Sequence, residues 1–100
     1  MTNIERITEM EQRFDRVDEA LRALEIAVDT ITKLEDDILK LDAYYSGDEW
    51  KADFRSDELG FLPQDLKRGV LSEDAIWNLL GRVDAVKHRM LDFVMTGITN

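Results

Sequence analysis

The stretch ITEMEQRFDRVDEALRALEIAVDTI, residues 7–31, decides the fold. Its apolar residues Ile7, Met10, Phe14, Val17, Leu21, Leu24, Val28 and Ile31 recur in alternating steps of three and four. That spacing is the a/d seam of a helix that packs along one narrow stripe. Glu9 and Arg13, Asp18 and Arg22, Asp29 and Lys33, and Asp36 and Lys40 stand four apart with the acid first. Each such pair favours a helix by about 0.2–0.5 kcal/mol. Upstream, Thr2 and Glu5 have capping-box spacing, and no Gly or Pro precedes Gly47. A helix is predicted over about 3–45.

The seam changes along its length. Ile38 and Tyr45 continue the d column, but the a column turns charged at Glu35 and Asp42, and Leu34 and Leu41 fill the adjacent g column. The apolar face therefore rotates by one position near Thr32. We read this as one long helix meeting different neighbours along its two halves.

Beyond it, residues 46–71 form a distinct segment. Ser46 and Glu49 repeat the capping-box spacing, and Tyr45 and Trp50 fit a hydrophobic staple, predicting a short helix from about Asp48 to Phe54. Gly60 and Pro63 punctuate a loop, and Pro63 can open a turn over Gln64 to Arg68. Gly69 is expected to end that turn in the left-handed conformation, with Lys67 and Arg68 at its negative end. Ser72 is expected to cap a further helix over about 73–96, with Glu73 and Asp74 in its first turn and Leu71 stapled to Ile76. The seam of that helix is Ile76, Leu79, Val83, Val86, Met90 and Phe93, interrupted only by Gly81. No strand-like alternation and no internal repeat occur. The predicted fold is all-α: one domain over 1–100, a long helical hairpin (about 3–45 and 73–96) with a short-helix and loop cap (46–71).

Composition removes several function classes. With 22 acids against 13 Lys and Arg the formal net charge is -9, which speaks against binding a phosphate backbone. There is no Cys, so disulfides, thiolate catalysis and thiolate zinc sites are out. No apolar run approaches the ~20 residues of a membrane span, and no basic and apolar leader pattern follows Met1. The expectation is a cytoplasmic protein that binds neither nucleic acid nor membrane. The chain is also short, so its core will be thin.

Helix lengths then raise a problem. At 1.5 Å per residue the first helix would reach roughly 65 Å and the last roughly 36 Å. Ile7, Met10, Phe14 and Val17 would lie on the unpaired excess. Either a second chain covers them, or the helix breaks near Asp15 to Asp18 and folds back. Nothing between Phe14 and Ala20 has turn character, which favours the second chain.

The middle of the chain resembles a known family. Tyr44-Tyr45-Ser46-Gly47-Asp48-Glu49-Trp50, Leu62-Pro63-Gln64-Asp65-Leu66-Lys67-Arg68-Gly69-Val70-Leu71-Ser72-Glu73-Asp74 and Asn78-Leu79-Leu80 carry the likeness. They resemble a bacterial domain-of-unknown-function family, number four-two-nine-eight of that series, whose members are short soluble proteins. The resemblance implies a bacterial, cytoplasmic protein and brings no activity, cofactor or partner.

Each candidate site competes with a local structural duty. Tyr44, Tyr45, Trp50 and Phe54 could form a ligand cage, but a hydrophobic cap on the hairpin accounts for them as well, and acids outnumber bases around them. Asp65, Lys67, Arg68, Ser72 and Asp74 could hold an anion; turn, dipole and cap duties explain the same residues. Asp84, His88 and Asp92 share a stripe that could hold a cation, yet His88 points away from the seam, and it is the sole histidine. The run Glu35, Asp36 and Asp37 reads as a solvated helix face. Trp77, with Leu80, Leu91 and Met95, forms a second apolar stripe, covered either by segment 46–71, with Trp77 against Trp50 or Phe54, or by a partner.

The expected function is a non-enzymatic helical interaction module that self-associates as a homodimer through Ile7, Met10, Phe14 and Val17, with no cofactor and with room for an unidentified protein partner. The alternative is a small-ligand binding or catalytic domain using segment 44–74, with Tyr44, Tyr45, Trp50, Asp65, Lys67, Arg68 and Trp77 as the candidate surface. A third reading is an acidic mimic of nucleic acid that occupies a basic protein.

Overall fold

A computed structural model describes residues 2–96; residues 1 and 97–100 lie outside it. The chain is all-α, a long N-terminal helix followed by shorter ones, and no strand occurs among the described residues. It divides into two compact units, Met1–Asp36 and Asp37–Asn100.

The first unit is essentially one helix, α1 (Asn3–Lys33). Thr2 caps it: the Glu5 amide donates to the Thr2 hydroxyl oxygen at 3.1 Å, and that hydroxyl donates to the Glu5 carboxylate at 3.0 Å. Arg13 bonds Glu9 at 2.9 Å and Arg22 bonds Asp18 at 3.1 Å, as the acid-first spacing predicts. The helix runs unbroken through Asp15 to Asp18, which disposes of a fold-back there.

The break falls at Leu34 instead, and this corrects the continuous helix expected over 3–45. Leu34 has φ -99° and ψ 7°, and its amide reaches back to the Ile31 carbonyl at 3.0 Å, tightening the last turn. Two causes coincide here. Val28, Thr30, Ile31 and Thr32 put four β-branched side chains into five residues, which weakens helix propensity. The apolar face also shifts column at this point, so a straight helix could not keep both halves of the seam facing one way.

The second unit contains most of α2 (Glu35–Ser46), then α3 (Asp48–Glu58), a 3-10 turn (Gly69–Leu71) and α4 (Ala75–Thr96). Glu35, Asp36 and Asp37 occupy the first turn of α2, where acids complement the helix dipole. Ser46 is the last residue of α2 rather than a cap. Gly47 is the N-cap of α3 and lends it no side-chain bond, while Asp48 and Glu49 supply the favourable first-turn charge. α3 also runs past Phe54 to Glu58, because its stop signal is Gly60.

There the Phe61 amide bonds the Ser56 carbonyl and the Gly60 amide bonds that of Asp57, both at 3.0 Å. This is a Schellman motif, and Gly60 at φ 74° takes the left-handed position it requires. Gly69, expected in that role, instead opens the 3-10 turn. Ser72 ends that turn, and α4 starts at Ala75, two residues later than expected, with the Asn78 amide on the Asp74 carbonyl at 2.8 Å. The expected staple pair, Leu71 and Ile76, are the two buried hydrophobic side chains among the described residues, 6% and 2% exposed. The core is thin, and it sits where the 3-10 turn meets the start of α4.

Candidate functional site

The end of α2 and the start of α3 bring the aromatic residues together. Trp50 meets Tyr45 edge-to-face with ring centres 5.0 Å apart, and Phe54 stacks on Trp50 at 5.1 Å. Such pairs contribute about 0.5–1.5 kcal/mol each beyond the area they bury. The tips are also engaged. Trp50 Nε1–H donates to the Val70 carbonyl at 2.8 Å, and the Tyr45 hydroxyl donates to the Glu73 carbonyl at 3.1 Å. These two bonds tie α2 and α3 to the 3-10 turn and to the approach of α4.

Tyr44 faces a different group. Its hydroxyl donates to the Asp53 carboxylate at 2.6 Å. Partial burial, then that bond and the negative charges of Asp53 and Glu49, push its pKa up to about 12. A phenol held protonated in this way is an anchor rather than a base.

Arg68 is spent on the loop. Its guanidinium bonds the Asp57 carboxylate on α3 and the Pro63 carbonyl, and its Nε–H reaches the Leu66 carbonyl at 3.3 Å. One side chain thus pins residues 63–68 to α3. The expected role beside a helix C-terminus is replaced by this clamp. Among the described residues, no buried side-chain N or O atom lacks a partner.

Asp65 and Lys67 are exposed. Lys67 edges a hollow of about 490 Å³ whose other walls are Leu41, Gly69, Val70, Ala75, Ile76 and Leu79. It is an apolar dent with a single charge at its rim. Trp77, 67% exposed, makes no ring contact with Trp50 or Phe54, which corrects the packing expected for it. His88 Nδ1 lies 2.8 Å from the Asp84 carbonyl, and no group of three metal-ligating side chains occurs among the described residues. Sequence reasoning missed Asp53, Asp57 and Val70. They lie 9, 11 and 20 residues from their partners, spacings that no helical pattern links.

The other candidate surface is on α1. Ile7, Met10, Phe14 and Val17 are all exposed, Phe14 at 66%, and no residue of α1 is buried. Met10, Phe14, Val17 and Leu21 line a shallow hollow edged by Arg13 and Asp18.

These features define a class: a small acidic helical protein whose central segment is taken up by its own fold and whose first helix presents an open apolar seam. The chain belongs to the family described as Domain of unknown function (DUF4298), whose family model matches residues 7–93. No curated protein and no solved structure matches it. No helix among the described residues is long and apolar enough to cross a membrane.

Proposed function

We propose that the protein is a non-enzymatic helical interaction module that self-associates as a homodimer through Ile7, Met10, Phe14 and Val17. The observation that carries this reading is the seam itself. Regularly spaced large apolar side chains stand exposed along a 31-residue helix with no buried residue. Burying such a side chain fully contributes about 1.5–3 kcal/mol. Two copies bring eight of these side chains, each still 52–66% exposed, so their burial is of the same order as the association cost of about 4–15 kcal/mol.

The engagement of Tyr44, Tyr45, Trp50 and Arg68 by the chain's own groups weighs against a ligand or catalytic site in segment 44–74. The reading includes a bacterial, cytoplasmic setting, supported by the cysteine-free composition and the family resemblance, and it requires no cofactor. Thermal unfolding followed by circular dichroism at low and high protein concentration tests it. A dimer melts higher when concentrated, because mass action favours the associated state. Phe14→Asp is expected to abolish that dependence. A melting temperature of the unaltered chain that ignores concentration would overturn the reading.

A further inference from the structure

Helix α1 is uninterrupted from Asn3 to Lys33, so every residue along it keeps its heptad position. With Ile7, Phe14, Leu21 and Val28 at a, and Met10, Val17, Leu24 and Ile31 at d, the flanks are fixed. Glu11, Asp18 and Glu25 occupy e, while Arg6, Arg13, Ala20 and Ala27 occupy g. One edge of the seam is acidic and the other is basic, then small. Arg13 from the g edge and Asp18 from the e edge both line the hollow formed by Met10, Phe14, Val17 and Leu21.

From this asymmetry we infer that the seam takes a second copy of the same helix lying parallel and in register. The inference rests on the self-association reading and adds its orientation. In a parallel pair, each g residue meets the e residue five positions later on the other helix. Arg6 then meets Glu11 of the second copy, and Arg13 meets its Asp18; by symmetry each pair forms twice. Ala20 meets Glu25 of the second copy, so that carboxylate stays unpaired but faces no like charge, and Ala27 meets Thr32.

In an antiparallel pair, a faces d and the flanks match e with e and g with g. Glu11 would meet Glu25 of the second copy and Asp18 would meet its Asp18, with no attractive pair in return. Sliding a parallel pair by one heptad keeps some opposite charges but strips apolar layers from the seam. Arg13 and Asp18 already bond Glu9 and Arg22 on their own helix. An Arg still has further N–H donors and a carboxylate a second oxygen, so both remain able to reach across.

The natural absence of cysteine makes the test direct. Met10→Cys and Val28→Cys are made separately in the full chain and oxidised mildly, alone and mixed. In the parallel pair each variant cross-links to its own kind. The mixture yields no Met10→Cys to Val28→Cys product, since those positions are roughly 27 Å apart along the helix. A cross-link formed only in the mixture would overturn the parallel orientation. A second arm reverses charge. Glu11→Arg/Asp18→Arg and Arg6→Glu/Arg13→Glu should each weaken self-association about tenfold or more, and an equimolar mixture should restore it. Tighter association of Glu11→Arg/Asp18→Arg alone would again indicate antiparallel helices and overturn the inference. A monomeric unaltered chain removes the self-association reading and the orientation together. A dimer that cross-links only in the mixture removes the orientation alone.

Discussion

Replacing Trp50 with Ala should destabilise the second unit strongly, whereas the same change at Trp77 should be nearly silent. Trp50 loses an edge-to-face contact with Tyr45, a stack with Phe54 and its bond to the Val70 carbonyl. The two ring contacts contribute about 0.5–1.5 kcal/mol each and the hydrogen bond about the same. With the burial of a half-covered indole added, the loss is about 3 kcal/mol, at the lower end of the range for Trp→Ala in a core. Trp77 is 67% exposed and has no ring partner among the described residues, so its loss should stay within about 0.5 kcal/mol. Urea unfolding followed by far-ultraviolet circular dichroism, at one protein concentration for all variants, measures both. The remaining Trp in each variant serves as a local fluorescence probe. Equal costs at the two positions, or a cost below about 1 kcal/mol for Trp50→Ala, would refute the view that the aromatic cluster organises this unit.

Three further outcomes follow from the same structure. Arg68→Lys should fail to replace Arg68, because one ammonium cannot span Asp57, Pro63 and Leu66 together; limited proteolysis should cut residues 60–68 faster in this variant as well as in Arg68→Ala. Gly60→Ala should cost about 1 kcal/mol in urea unfolding, purely from the left-handed backbone, since a Cβ there would meet nothing within 4 Å; Gly69→Ala should not. Tyr44 has a folded pKa above its ordinary value of 10.0, so its stabilising effect is fully present below about pH 10 and is lost as pH rises towards about 12. Unfolding measured across that window should show a downward slope that Tyr44→Phe reduces, and an unchanged slope would contradict the raised pKa that burial and then the Asp53 bond give Tyr44.

Much of the helical architecture could be read in the residues because its causes are local. Thr2 and Glu5, and Glu9 and Arg13, interact within about one helical turn as their spacing predicts. Tyr45 and Trp50 instead meet across the junction of α2 and α3, with Gly47 and not Ser46 as the cap. The break at Leu34 was visible as a shift of the apolar column, but a shift alone does not say whether the backbone rotates smoothly or stops. The crowding of Val28, Thr30, Ile31 and Thr32 was the missing signal. The left-handed position expected at Gly69 falls at Gly60; what separates them is which one closes a complete set of terminal carbonyl bonds. The roles of Tyr45, Trp50 and Arg68 were only half legible. Their partners are backbone carbonyls and a distant carboxylate, brought near by the path of the loop and not by any helical repeat.

The central claim is that the α1 seam is an interface between two copies. Sedimentation equilibrium of the full chain over a wide concentration range tests it most directly. The account predicts a mass rising to twice the 11.6 kDa of one chain, and a Phe14→Asp variant that stays at 11.6 kDa. An unaltered chain that remains at 11.6 kDa at every concentration would contradict it.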